Sequence, residues 1–167
     1  MINNETHKID YYKNGNIQCE KYYFDGKLHN ENGPAAIYYY ENGNKYCEEY
    51  YINNNFHNEN GPAEIYYYKN GNKQHEEYYI NDKLHNETGP AIIKYYEDGS
   101  TEREEYYING EFVMTNEEVK KYINSTKPIR IRDINKLKIL YNICKARNLE
   151  DKMNEISSKL LLTELQK

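Results

Sequence analysis

Residues 29–56 read HNENGPAAIYYYENGNKYCEEYYINNNF, and the stretches 57–84 and 85–112 repeat the scheme at the same 28-residue length. Gly33-Pro34 returns as Gly61-Pro62 and Gly89-Pro90, and Leu28-His29 as Phe56-His57 and Leu84-His85. Tyr11-Tyr12, Tyr39-Tyr40, Tyr67-Tyr68 and Tyr95-Tyr96 keep the same step. So do Tyr22-Tyr23, Tyr50-Tyr51, Tyr78-Tyr79 and Tyr106-Tyr107. The tyrosine series reach back into a truncated first copy, so residues 8–112 form four units. A fixed period of this kind marks a repeat architecture, in which each unit buries its surface against its neighbours.

Each unit reads as two strands. The first runs Ala35 to Tyr40, and Glu41-Asn42-Gly43-Asn44 then turns the chain. Asn-Gly between strand-like runs is a strong hairpin signal because both residues tolerate positive φ. Asn14-Gly15, Asn70-Gly71 and Asp98-Gly99 hold the same place in the other copies. The second strand runs from Lys45 to Ile52, and an Asn-rich connection with Gly61-Pro62 leads onward. Proline cannot donate to a ladder, which keeps it out of the strand interiors.

Comparing copies separates two faces. Ala35, Ile37 and Tyr39 recur at spacing two, as do Tyr50 and Ile52, and these are assigned to the core face. Ala36 varies to Glu64 and Ile92, and Cys47 to His75 and Arg103, which marks the second face as the more exposed one. That second face also carries a recurring tyrosine band: Tyr40, Tyr51, Tyr68, Tyr79, Tyr96 and Tyr107 are the candidate partner-binding residues. Tyrosine offers large contact area at low entropic cost, which suits an interface. The expected fold is mainly β with an α-helical tail: an elongated antiparallel β-meander of four hairpin repeats capped by a C-terminal helical hairpin.

The pattern Tyr-Tyr-x-Asn-Gly, Glu-x-Tyr-Tyr-Ile-Asn, Leu-His-Asn-Glu-x-Gly-Pro-Ala over residues 8–112 resembles the MORN-variant repeats of large DNA viruses and some bacterial antitoxin-like proteins. The resemblance implies rows of hairpins used for protein or membrane contact, and a viral protein engaging a host or virion component.

Composition agrees with a thin sheet. Only 38% of the residues are hydrophobic, while 21 of 167 are Tyr, whose ring packs while its hydroxyl needs a partner. The start, MINNETHKID, has no apolar stretch of a secretory signal, and no run approaches the ~18 apolar residues of a membrane span. Cys19, Cys47 and Cys144 are odd in number, as in a reducing compartment, and Asn4, Asn86 and Asn124 read as chance sequons. A cytoplasmic location, in a host or a virion if viral, is the expectation.

Charge is unevenly placed: residues 1–112 hold 10 Lys+Arg against 20 Asp+Glu, and residues 113–167 hold 12 against 7. The boundary drawn at residue 113 separates an acidic sheet from a basic helical tail, either a cap or a recruitment module. Thr115 and Glu118 have the form of a capping box, followed by a short helix to Asn124 that ends over Ser125 to Pro128. Asp133 can cap a second helix with Ile134, Leu137, Leu140, Tyr141 and Cys144 on one stripe. Asn148 can cap a third with Leu149, Met153, Ile156 and Leu160.

No catalytic, cofactor or metal set emerges. His29, His57 and His85 occupy like positions two strands apart, ~10 Å at the ~4.8 Å strand spacing, too far to share a zinc ion. Cys19 and Cys47 are separated in the same way, beyond the reach of a disulfide. Glu20, Glu48, Glu76 and Glu104 occur four times, whereas a catalytic pair occurs once; they are expected to accept tyrosine hydroxyls or to line the rim. The function expected is a non-enzymatic scaffold for protein–protein interaction, with oligomerisation through a sheet edge open to it. The alternative is a peripheral membrane or nucleic-acid adaptor acting through Lys127, Arg130, Arg132, Lys136 and Lys138. The net acidic balance and the absence of a nucleic-acid module weigh against that alternative.

Overall fold

The computed structural model describes residues 4–124, 134–146 and 149–164. Its first unit forms β1 (Glu5–Tyr11), β2 (Ile17–Phe24) and β3 (Lys27–Leu28). The second forms β4 (Ala36–Tyr39), β5 (Lys45–Glu49), β6 (Tyr51–Ile52) and β7 (Asn55–Phe56). The third repeats this as β8 (Glu64–Tyr67), β9 (Lys73–Glu77), β10 (Tyr79–Ile80) and β11 (Lys83–Leu84). The fourth forms β12 (Ile92–Tyr95), β13 (Thr101–Ile108) and β14 (Glu111–Thr115). Helices α1 (Asn116–Ile123), α2 (Ile134–Ala146) and α3 (Glu150–Glu164) follow.

The strands build an antiparallel meander in the order β1-β2-β4-β5-β8-β9-β12-β13-β14, with β3 beside β2. The Asn-Gly turns lie where expected: Gly43 sits at φ 89, a conformation glycine adopts without steric cost. Each turn is followed by a one-residue bulge, so Tyr38 faces Cys47 while Tyr39 faces Lys45, and Tyr46 is the extra residue.

The Asn-rich connection is more ordered than its sequence announces. Tyr51-Ile52 pairs with Asn55-Phe56, and Asn53 and Asn54 both have positive φ, 54 and 69. That is a second, two-residue hairpin of the primed kind within the unit. It locks onto the preceding unit: Asn54 N donates to Leu28 O at 2.9 Å, and Leu28 N donates to the Asn54 side chain at 2.7 Å.

The assignment of faces requires correction. Of the residues assigned to the core face, Ala35 is buried at 0% exposure, while Ile37, Tyr39, Tyr50 and Ile52 are only half-buried. Ala36 and Cys47, placed on the more exposed face, are 0% and 1% exposed. The cause is local. Over the repeats, burial comes from in-register neighbours rather than from a second layer. Ala36 lies between the long side chains of Lys21 and Glu49, and Cys47 between Tyr38 and Tyr66. Both faces reach half-burial, and small residues vanish beneath longer neighbours.

The apolar core lies at the C-terminal end. Tyr106, Val113 and Met114 of the last hairpin pack with Val119 of α1, Leu137, Ile139, Leu140, Ile143 and Cys144 of α2, and Ile156 of α3. Thr115 and Glu118 form the expected capping box, which starts α1 directly where β14 ends. The boundary drawn at residue 113 therefore falls inside β14, and strand and helices share one core. The caps expected at Asp133 and Asn148, the helix stop at Ser125 to Pro128 and the basic stretch 127–132 lie outside the described residues. No helix among the described residues is long and apolar enough to cross a membrane.

Candidate interaction surface

One face carries a repeated carboxylate–phenol relay. Tyr39 donates its hydroxyl to Glu20 at 2.7 Å, Tyr95 donates to Glu76 at 2.5 Å, and Tyr67 donates to Glu48. Each bond links one unit to the next. Lys45 reaches Glu48 at 2.5 Å, and Lys73 reaches Glu76. Glu48 and Glu76 are thereby satisfied at 6% and 4% exposure. Burial, then the bond to the glutamate, pushes the phenols of Tyr39, Tyr67 and Tyr95 upward. These glutamates accept tyrosine hydroxyls, and their oxygens are engaged within the sheet.

The histidines lock turns. His29 Nδ1 accepts from Asn53 N at 3.3 Å, His57 Nδ1 from Asn81 N at 3.4 Å, and His85 Nδ1 from Asn109 N at 3.1 Å. Each thus holds the positive-φ residue that opens the second hairpin of its own unit. All three cysteines are buried and none is bridged by a disulfide.

The six tyrosines expected to form one band lie in two rows. Tyr40, Tyr68 and Tyr96 stand at the Asn-Gly turn end of the strands, and Tyr51, Tyr79 and Tyr107 at the opposite end. Ala36 faces Glu49, so Tyr40 and Tyr51 stand six residue steps apart along the strands, ~20 Å at ~3.3 Å per residue. Tyr40 and Tyr68 donate to Tyr67 O and Tyr95 O, each at 2.8 Å. Tyr96 has no fifth unit to reach and is 53% exposed. In the second row Tyr79 donates to Glu77, and Tyr107 to Glu105 at 3.0 Å. Phe56 lies between Tyr51 and Tyr79, with ring centroids 4.3 and 5.3 Å away.

A residue outside that set completes an aromatic patch. Tyr46, the bulge residue, is 41% exposed. It meets Tyr40 edge-on at 5.2 Å and Tyr66 at 5.5 Å, and the Lys69 ammonium lies 5.8 Å over the Tyr40 ring. The other copies carry Gln18, Gln74 and Glu102 at this position, so the patch occurs once. A single aromatic at an otherwise polar repeat position was the available signal.

The opposite face holds a row of like charges: Glu49 faces Glu64, which faces Glu77. Burial, then the neighbouring carboxylate, raises Glu49 above the usual range. Glu64 is raised by burial and by Glu77, against a hydroxyl bond from Tyr66 at 3.0 Å. Glu77 is lowered; against its burial, His75 2.8 Å away and the Tyr79 hydroxyl prevail. Burial and both glutamates push the Cys47 thiol up. The donor atoms of Cys47, Glu49 and Glu64 lie within 4.8 Å of one another, a thiol and two carboxylates of the kinds that hold a zinc-like cation. Like repeat positions do not announce this mixed set, because it is brought together only by the cross-strand register.

In the tail, Lys120 pairs with Glu117 at 3.0 Å and Lys136 with Glu118 at 3.7 Å. Asn142 of α2 donates to Glu87 O at 2.5 Å. The chain matches no protein-family model, no curated protein and no solved structure.

Proposed function

We propose that the chain is a non-enzymatic, MORN-like repeat scaffold that binds a protein partner through the patch of Tyr40, Tyr46 and Tyr66. One observation carries this reading. The sheet satisfies its own glutamates and most of its phenols internally, yet Tyr46 stays outward on two supporting rings beside a lysine. Rigid, partly exposed aromatics flanked by a cation are the residues that anchor interfaces. The tail serves as a cap in this reading, because its helices share the core of the last hairpin and two of its lysines, Lys120 and Lys136, pair with Glu117 and Glu118.

The test is Tyr46→Gln, which installs the residue that the next unit carries as Gln74 and leaves the hairpin intact. A partner captured by the wild-type chain should bind the variant at least about tenfold more weakly, the equivalent of 1.4 kcal/mol. Unchanged binding by a folded variant overturns the assignment to this patch. Retention of the partner by the isolated tail would transfer the function to the helices.

A further inference from the structure

Strand β1 closes one end of the sheet, and no other described strand pairs with its outer side. Its positions Lys8, Ile9 and Asp10 correspond to Ala36–Tyr38, Glu64–Tyr66 and Ile92–Lys94. Each of those three segments bonds a strand on both sides. Among the described residues, the outer side of β1 is therefore the one copy of this pairing template left open. Sheet edges are commonly blunted by brevity, proline, a bulge or charged side chains. β1 is seven residues long where the other first strands have four and contains no Pro, and the charges it carries, Glu5, Lys8 and Asp10, admit only a partner strand that sets unlike charges opposite them. The bulge beside it belongs to β2, where Gln18 is the extra residue between partners of Asp10 and Tyr11. The far edge differs, since β14 runs directly into α1 and lies in the apolar core with the helices.

The sequence of β1 identifies the occupant. In an antiparallel pair the outward-facing backbone groups alternate, so opposed residues share parity and a two-fold axis must pass through a residue. An axis through Lys8 or Asp10 sets like charges face to face. One through His7 opposes Thr6 to Lys8 and Glu5 to Ile9. An axis through Ile9 opposes Ile9 to itself, Lys8 to Asp10 twice and His7 to Tyr11 twice. Lys8 and Asp10 project from the same face, so both ion pairs form side by side. Tyr11, 59% exposed, gains an aromatic-edge neighbour. We infer that two copies of this chain pair through β1 in antiparallel register about Ile9, joining their sheets into one continuous sheet with a capped helical end at each extremity. The contact is isologous and closes at two copies.

The experiment uses the full chain. Light scattering should give twice the 20.1 kDa chain mass for the wild type. Lys8→Asp and Asp10→Lys should each shift the dimer toward monomer by at least tenfold in dissociation constant, since each opposes like charges twice. An equimolar mixture of the two variants should recover a dimer, because every opposed pair is then of opposite sign. Ile9→Cys should cross-link to itself under mild oxidation while Thr6→Cys does not, a readout independent of the charge variants' folding. A monomeric wild type, an open-ended polymer, or a mixture that stays monomeric beside a dimeric wild type would each overturn the inference.

Discussion

Glu49 and Glu64 stand directly opposite each other on neighbouring strands, both partly buried and both held above the usual carboxylate range. A carboxyl raised in the folded state costs stability as pH climbs from its unfolded value, ~4.3, through the folded value, and the cost persists above it. Below that window both states are protonated and the cost is absent. Glu64→Gln removes one of the charges and keeps an oxygen for the Tyr66 hydroxyl. It should raise stability at pH 7 by a few tenths to about 1 kcal/mol. The gain should disappear near pH 3. Thermal unfolding of both proteins at the two pH values checks this; a loss of stability at pH 7 would refute it.

The tyrosines should fall into two energetic classes. Tyr67 donates to the buried Glu48, whereas Tyr40 donates to a backbone carbonyl. Bonds to charged groups contribute ~1.5–3 kcal/mol and neutral ones ~0.5–1.5 kcal/mol. Tyr67→Phe should therefore destabilise more than Tyr40→Phe in urea titrations, since it also leaves Glu48 with one donor fewer.

Gly43 and Gly33 separate backbone strain from crowding. A Cβ at Gly43 meets no atom within 4 Å, but φ is +89. At Gly33 the nearest contact is an ordinary 3.7 Å to the Asn30 side chain, without positive φ. Gly43→Ala should cost about 1–2 kcal/mol. Gly33→Ala should be close to neutral. Equal melting temperatures for the pair would refute the turn assignment.

Leu140 is fully buried in the core that joins the helices to the last hairpin. Leu140→Ala should cost ~2–5 kcal/mol in a single cooperative transition. A separate early transition, with the repeats melting unchanged, would show the helices to be an independent module.

The main features of the fold were legible in sequence because they rest on local rules. Asn42-Gly43 and its counterparts announce hairpins through positive φ, and Thr115 with Glu118 announces a helix start. The Asn53-Asn54 hairpin was not legible: its strands are two residues long, and two asparagines in a row also occur in open loops. The faces misled because alternation identifies a core only when a second layer covers one side. Here Cys47 changes to His75 and Arg103 along the array and is nonetheless buried, its cover coming from Tyr38 and Tyr66. The three histidines mark the connection by their spacing, but that each ring nitrogen accepts from a backbone amide depends on how the second hairpin folds, which the spacing does not supply. Tyr46 and the Cys47–Glu49–Glu64 cluster depend on the bulge and on cross-strand register, which period alone does not supply.

Tyr12, Tyr40 and Tyr68 each fasten their unit to a carbonyl 27 residues ahead, so the instruction for attaching a neighbour is written inside every unit. An in-frame duplication of 28 residues would lengthen the array by two strands, ~9.6 Å at ~4.8 Å per strand, without a new junction to evolve. Tyr96, exposed beyond the last first strand of the array, is the anchor that such an insertion would engage. The gene can thus adjust the length of its product in fixed steps, as a ruler is lengthened by adding divisions, while the terminal cap and the open first strand stay as they are.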